Sequence, residues 1–533
     1  LASGYCPCSV PFEQLPEFAD DVKFVYKDRT MLHKNIPVAR SLGPHVVSQG
    51  CDLVEPIHAP NCADGFYAGA RRRVGRKLPT KNKMKLKRFR DFVLLFVQKH
   101  FDPLPPDTDF SFDTWIDQTN YPEKRKERLR EVHESMIVSG SDIKLTNKDK
   151  VVKCFIKREN YNKYKPARWI MARKDNSKVV LGPIFKAVEK VVFKHPNFIK
   201  HIPVSERPQY IYDHLNVDGK ILVTDYTSFE SQFSTDILSI IEFQLYKRML
   251  EHFPEKFRLL REVLGGTNFL ASKYCNMYIR GRRMSGEMNT SLGNGFSNWM
   301  LMEFLCKQKG STMKGVFEGD DGLCVVHGPV PTVKDAEECG FVLKMEEVAD
   351  LSEGSFCGLI FDPVEKINVR DPVHVLLRFG WTLSSKRMGG PSLMRSLLKA
   401  KSFSLLYETP ACPILSALAM RLLSQMTDVI PVWNGDWWER QLRSRDSYDI
   451  MAKNHEPGLR TRLLVQRRFG ISISTQLRVE DYFSTYELGT PLCDESIEQM
   501  LSEYKCGVDL NHVYHFSRNF VYKVQAGEPW RNC

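Results

Sequence analysis

No two cysteines in this 533-residue chain are spaced as Cys-x-x-Cys, although it contains 14 of them. That excludes the common zinc-ribbon and dithiol redox patterns. Several sit inside apolar runs, as Cys324 does in LCVV, and read as reduced thiols of a cytosolic interior. One N-terminal group, Cys6, Cys8, Cys51, His58 and Cys62, could supply zinc ligands, but at irregular spacing. Long hydrophobic runs are missing too. None approaches the roughly 18 residues of a membrane span, and the longest candidate, FVLLFV at 92–97, reads as a short buried segment. There is no signal-peptide pattern, internal repeat or low-complexity tract. The chain begins at Leu1 and not at Met, as a fragment or a product released from a larger precursor would. Acid is absent from residues 71–90, which hold eleven Lys or Arg.

The hydrophobic fraction is 42 % and aromatics make up 11 %, enough to bury large cores. Disorder is therefore not expected, and the length points to two or three structural units. Basic residues outnumber acidic ones 76 to 64, which favours a polyanionic partner. Within 71–90, Arg71, Arg72, Arg73, Arg76 and Lys77 admit two readings. They are a solvated basic loop, or a surface that tracks an RNA backbone; the one-sided density favours the second. A second block, 151–180, has nine basic and two acidic residues. Here the charges are interleaved with VVKCFI and RWIMA, which read as two strands joined by a loop containing Pro166.

KILVTD at 220–225 reads as a buried strand ending at Asp225. A helix should follow, capped by Ser234 or Thr235, with Ile237, Ile240, Ile241, Leu245 and Met249 at helical spacing and an end before Pro254. Another begins near Asn289, with Leu292, Phe296, Met300 and Phe304 on one face. GVFEGDDGLCVVH has the pattern of two short strands around a tight acidic turn. Helical patterns dominate from about residue 365. The fold class is α+β.

Joining a nucleotide to an RNA 3′ end needs two metal ions about 4 Å apart, which activate the 3′ hydroxyl and neutralise the transition state. Magnesium prefers carboxylate oxygens. Asp225 at one strand end, with Asp320 and Asp321 in a hairpin turn, would converge if those strands are neighbours. A GDD triplet alone is weak evidence, arising by chance in about one such chain in ten; its bland reading is a type I′ turn with solvated Asp residues. SGEMNTSLGN at 285–294 is rarer. Thr290 and Asn294 share a helix face, and Ser285 and Gly286 precede it in a loop that can approach a backbone closely. Such polar groups could bond a ribose 2′-hydroxyl.

In order, these segments resemble the palm of RNA-dependent RNA polymerases of positive-strand RNA viruses, tombusvirus-like ones in particular. DYTSFE (225–230) resembles motif A, SGEMNTSLGN motif B, EGDDG (318–322) motif C, AEECGFVLKMEEV (336–348) motif D and SFCGLIF (355–361) motif E. FIKRENYNKYKPARWIMAR (155–173) is similar to motif F, and RRFGISISTQLRVEDYF (467–483) to thumb segments. The resemblance implies a right-hand fold: an N-terminal region and fingers over 1–215 with 253–284 returning, a palm with an antiparallel sheet over 216–252 and 285–364, and a mostly helical thumb over 365–533. It implies that Asp225 and Asp320, assisted by Asp321, bind two Mg2+ ions, with Mn2+ as a substitute. Lys157, Lys165 and Arg168 would hold the triphosphate, with Glu159 and Arg173 in the same block, and Lys344 would protonate the leaving pyrophosphate. Ser285, Gly286, Thr290 and Asn294 would surround the nucleotide. Glu230 departs from the family's usual Asp and is a ribose-sensing candidate that could contact Asn294 or Ser285.

The implied partners are a single-stranded RNA template, nascent RNA, ribonucleoside triphosphates and other viral replication proteins, in a membrane-associated complex of the host cytoplasm. Trp433, Trp437, Trp438 and Tyr482 are candidates for an initiation platform, or are core. The alternative from another class is a non-catalytic viral RNA-binding or capsid protein.

Overall fold

In chain order the principal strands are β1 (Lys23–Tyr26), β2 (Val152–Ile156), β3 (Trp169–Arg173), β4 (Lys220–Tyr226), β5 (Thr267–Ala271), β6 (Cys275–Arg280), β7 (Thr312–Glu318), β8 (Asp321–His327) and β9 (Leu343–Val348). The helices that carry the argument are α1 (Lys83–His100), α2 (Asp175–Val192), α3 (Thr235–Ile240), α4 (Glu242–Met249) and α5 (Thr290–Gln308). This is a computed structural model, and it describes residues 15–27, 39–47, 57–58, 61, 63–137, 145–161, 165–433, 442 and 447–505.

The central sheet has the order β7-β8-β4-β9, every neighbour antiparallel. Alternation along β4 buries Leu222, Thr224 and Tyr226 on one face. Leu222 and Tyr226 join Phe317, Cys324 and Val326 of the hairpin in a core that also holds Leu292, Phe296, Met300 and Phe304 of α5. α5 is not amphipathic in the expected sense. It is buried nearly all round, including Asn294, Ser297 and Asn298, so its polar side chains must find partners inside the protein.

The helix expected after Asp225 is broken. Ile241 leaves helical geometry (φ −114°, ψ −80°), so α3 ends at Ile240 and α4 begins at Glu242. Beyond the break Glu242 lies wholly inside, against Arg283. Ser234 stands at the start of α3 without bonding its backbone; its hydroxyl accepts from Lys81 Nζ at 2.6 Å.

A second sheet has five strands in the order β1-β6-β5-β2-β3. β2 and β3 pair antiparallel from Val152↔Arg173 to Ile156↔Trp169, as the alternating basic block anticipated. Cys154, Ile156, Trp169, Met171, Met277 and Ile279 face inward against Phe66 and Tyr274. The third body is helical: Pro372–Phe379, Pro391–Glu408, Leu415–Ser424, Leu459–Phe469, Ile473–Thr485 and Glu495–Glu503 share one core. Leu42 and Val46 belong to that core as well. Arg40–Ser41 pairs with Trp381–Thr382, and a Cβ on Gly380 would lie 2.2 Å from Pro44 O. Residues 39–47 therefore pack with the C-terminal body, not with the N-terminal grouping expected for 1–215, because their backbone donors and apolar side chains find partners there.

FVLLFV is only half buried. It lies within α1, with Val93 and Val97 inside and Leu95 66 % exposed. No described helix is long and apolar enough to cross a membrane. Cys154, Cys275, Cys306, Cys324, Cys339 and Cys412 are buried free thiols. Cys6, Cys8, Cys51 and Cys62 lie outside the described residues, as do Trp437 and Trp438. Trp433 and Tyr482 pack partly against the helical core.

His195 sits 4.3 Å from the Trp299 ring, and its Nδ1 accepts from Asn197 N at 3.3 Å, which selects a neutral imidazole. Burial, then the proximity of His100 and His214, pushes its pKa down to about 4. A depressed folded-state value means that the stabilisation is complete above pH 6.5 and is lost as pH falls towards 4. His195→Gln should therefore lose less stability than the wild type between pH 7 and pH 4.5. Urea midpoints at the two pH values check this, and equal losses would refute it.

Candidate active site

The β7–β8 hairpin closes with Glu318 opposite Asp321, leaving Gly319 and Asp320 as a two-residue turn. Gly319 has φ +64° and Asp320 is not among the left-handed residues. A single positive φ at the first central position fits a type II′ turn and not the type I′ turn, which needs two. β8 and β4 pair up to Gly322↔Thr224. One residue further, the same register sets Asp321 against Asp225, and adjacent strands put opposed Cα atoms about 5 Å apart. Asp225 and the adjacent pair Asp320–Asp321, which begins 95 residues later in sequence, thus gather at one end of the sheet.

A residue that sequence reasoning missed holds this end together. Asn298, fully buried in α5, donates through Nδ2 to Gly319 O (3.4 Å), Asp320 O (3.2 Å) and Asp321 O (3.2 Å). Its Oδ1 accepts from the Tyr226 hydroxyl at 3.0 Å. One side chain thus ties the acidic turn to the strand carrying Asp225. Nothing in the local sequence marks it, since Asn in a helix is ordinarily a polar-face residue.

Burial, then the Glu230 charge, raises the Asp320 pKa to about 6. Burial, then Asp320 and Asp225, raises that of Asp321 to about 7, although the Cys357 thiol hydrogen-bonds it. These groups are forced together against their repulsion, which a cation between them relieves. Lys344 stands opposite Asp225 in the β4–β9 register, and its Nζ is 3.7 Å from Asp225 Oδ2. Both ends are largely exposed, so the pair is weak. Among the described residues no three acidic, His or Cys side chains close into a cation cage. Mg2+ does not need one where substrate phosphates and water complete its shell. The all-oxygen donor set fits such an ion.

The basic block divides. Lys157 Nζ is 3.1 Å from Glu159 Oε2, Arg168 Nη1 is 3.8 Å from the same oxygen, and Tyr161 donates to Glu159 Oε1 at 2.6 Å. Burial alone would raise the Glu159 pKa; Lys157, Tyr161 and Arg168 outweigh it and hold the carboxyl below its ordinary value. Glu159 thus anchors the two cations. Lys165 is exposed and acts electrostatically on His374 of the helical body.

Arg173 departs from its expected place among the nucleotide contacts. It is 4 % exposed, pairs with Glu287, and donates to Lys150 O, Val263 O and Asn268 Oδ1. Its alternation position on β3 points inward, so its guanidinium joins the sheet to the loop before α5.

The basic run 71–90 also divides. Lys81 pairs with Asp236, and Lys85 with Asp335 and Glu338; these charges neutralise acids of the protein itself. Arg71 binds Leu15 O and Pro16 O. Arg73 interacts with Arg168, Glu159 and Glu230 and Arg76 donates to Thr227 O, so both face the acidic end of β4. Arg72 is exposed, and so is Lys77, which pairs loosely with Glu17.

Around the expected ribose position, the Ser285 hydroxyl donates to Trp169 O at 2.7 Å and accepts from Met171 N at 3.2 Å. Gly286 N donates to Met171 O, and a Cβ there would lie 2.9 Å from that oxygen, so the close backbone approach is real. The Thr290 hydroxyl bonds Met284 O and Glu287 O at the start of α5. Asn294 Oδ1 accepts from Arg283 Nε at 2.9 Å. Glu230 bonds neither Asn294 nor Ser285; its charge acts on Asp320 and Arg73.

Carboxylates gathered at neighbouring strand ends, opposite anchored cations, make a site suited to phosphates and divalent ions. The model of the viral RNA-dependent RNA polymerase family matches residues 113–490, and the chain belongs to that family. Membership implies the right-hand polymerase fold and the general use of divalent metal ions, and the mixed helix and sheet accord with it. Proteins named RNA-directed RNA polymerase are among its relatives. One from Oat chlorotic stunt virus is 24 % identical over 432 residues, covering 73 % of this chain and 55 % of its own length. Another, from Maize chlorotic mottle virus, is 25 % identical over 450 residues, 78 % of this chain and 44 % of its own. A third, from Turnip crinkle virus, is 26 % identical over 284 residues, 49 % and 36 %. The chain spans about half the length of the first two.

Arg173→Gln should lower unfolding stability by about 3 kcal/mol, because it leaves Glu287 buried without its cation. Urea unfolding measures this; unchanged stability with weaker nucleotide binding would return Arg173 to the ligand.

Proposed function

We propose that this chain carries out template-directed RNA synthesis, transferring nucleotides from ribonucleoside triphosphates to an RNA 3′ end in the replication of a viral genome. The observation that carries the reading is the convergence of Asp225, Asp320 and Asp321 at one sheet end, with two of them strained towards protonation. A passive RNA-binding or capsid protein has no use for acidic groups pressed together beside bound phosphates.

Asp225 and Asp320 would hold two Mg2+ ions, with Asp321 assisting and Mn2+ as a substitute. When bound, the ions activate the 3′ hydroxyl and neutralise charge on the transferred phosphoryl group. Lys157 and Arg168, splayed from Glu159, meet the triphosphate, and Lys165 adds a third cation. Lys344 leaves Asp225 to protonate the departing pyrophosphate. The central sheet with α5 serves as palm, the five-stranded sheet as fingers and the C-terminal helices as thumb. Arg378 of the helical body interacts with Glu159, which supports a thumb that faces the triphosphate.

Template RNA would run over the outer face of the five-stranded sheet. Phe155 is 53 % and Tyr278 41 % exposed there, and Phe269 stacks on Tyr278. Lys23, Lys153 and Arg280 stand exposed on the same strands. Aromatics for bases and cations for phosphates are the elements of a single-strand platform. The β3 edge meets the Ser285–Gly286 loop.

The test supplies the purified chain with single-stranded RNA, labelled ribonucleotides and Mg2+. Template-length product is expected from the wild type, and a fall of about 1000-fold or more from Asp320→Ala. A wild type that makes no product where a control polymerase does would overturn the reading. Asn298→Leu, which frees three turn carbonyls, should lower kcat at least about tenfold while RNA affinity stays within about twofold. A fall in RNA affinity without a change in kcat would contradict its placement.

A further inference from the structure

Asn294 is held from behind. Arg283 is 1 % exposed and its partner Glu242 wholly buried. Arg283 Nη1 donates to Glu242 Oε1 at 3.0 Å and Nη2 to Oε2, while Nε donates to Asn294 Oδ1 at 2.9 Å. Glu242 Oε1 also accepts from the Tyr246 hydroxyl and from Asn289 Nδ2 at 2.6 Å. The guanidinium lies over the Phe233 ring at 4.4 Å. On its other side is Gly293, where a Cβ would fall 2.5 Å from Nη2 and 2.6 Å from Cζ. A carboxylate, a ring and a missing side chain thus leave the guanidinium one position.

The chemistry then dictates the orientation of the amide. A guanidinium has five N–H donors and no acceptor. Asn294 can meet it only through Oδ1, and the rigid link leaves Nδ2 at the opposite end. That amino group has no acceptor among the described protein residues. We infer that Arg283 is a positioning residue for nucleotide selectivity: it locks Asn294 so that a hydrogen-bond donor, not an acceptor, faces the sugar of the incoming nucleotide. This rests on the polymerase reading above and adds to it a residue two positions before the S-G-x-x-x-T-x-x-x-N segment. A ribose 2′-hydroxyl accepts from Nδ2. A 2′-deoxy sugar leaves that donor without a partner, and a site built to bond a hydroxyl rejects the analogue lacking it. Were the amide free to flip, a carbonyl would face the site half the time and the preference would weaken.

Arg283→Lys keeps the charge beside Glu242 but cannot bond Glu242 and Asn294 together in one plane. Gly293→Ala leaves every reacting group in place and pushes the guanidinium off its seat. For each, kcat/KM is measured for one ribonucleotide and its 2′-deoxy analogue in single-nucleotide extension, beside thermal unfolding. Both variants should lower the ribo-to-deoxy ratio about tenfold, mainly by loss of ribonucleotide kcat/KM. Tyr246→Phe removes a bond to Glu242 without touching Asn294, so it should lower stability and keep the ratio. A wild-type ratio in folded Arg283→Lys or Gly293→Ala overturns the inference, and so does an equal fall in Tyr246→Phe. If Arg283→Lys does not fold, Gly293→Ala decides alone. A wild type that extends with neither nucleotide removes the polymerase reading itself, a result distinct from extension with an unchanged ratio.

Discussion

Like charges held close together are the constraint on which this structure turns. Asp225, Asp320 and Asp321 gather at one end of a four-stranded sheet, where burial first, and neighbouring carboxylates next, push the Asp320 and Asp321 carboxyls up to about 6 and about 7. Such an arrangement persists only if the surrounding fold over-determines it. Here the hairpin register sets the turn, Gly319 supplies its left-handed corner, and Asn298 ties three of its carbonyls to Tyr226. The packing of α5 against the sheet thus counters the repulsion, and a divalent cation with its phosphate ligands would relieve it.

The positive charges answer to the same logic of pairing. A net of +12 suggests a broadly basic surface, yet many cations serve the protein. Lys81, just before α1, and Lys85 within it pair with acids of other elements, Arg173 holds β3 to the loop before α5, and Arg283 holds Asn294. Lys157 and Arg168 differ because they share one carboxylate, Glu159, which aligns them while leaving net positive charge. The buried pairs of Arg173 with Glu287 and Arg283 with Glu242 instead fix the geometry of the backbone and side chains around them.

α5 collects these functions on one element. Thr290 bonds the loop that begins it, Asn294 meets Arg283, and Asn298 meets the acidic turn. Residues 290, 294 and 298 recur every four positions, so they form one stripe along the helix. An apolar stripe would have packed as tightly. A polar one, tied to fixed partners by Thr290, Asn294 Oδ1 and Asn298, specifies a single arrangement of the turn, the loop and the helix relative to one another.

The sequence by itself determined the class of the site and most of its elements. β4, the β7–β8 hairpin, α5 and the β2–β3 pair each follow from local alternation, helical spacing or turn residues, and the order of short motifs carries the family. These signals are local, and local steric and hydrophobic preferences are written in neighbouring residues. What only the tertiary structure decided are the partners of polar and charged side chains. It broke the helix at Ile241, drew residues 39–47 to the C-terminal body, put Arg173 inside, and gave Asn298 and Arg283 their hydrogen-bond partners. A charged or amide side chain can face water or a buried partner from the same sequence position, and the choice depends on what distant segments bring to it once water has been excluded.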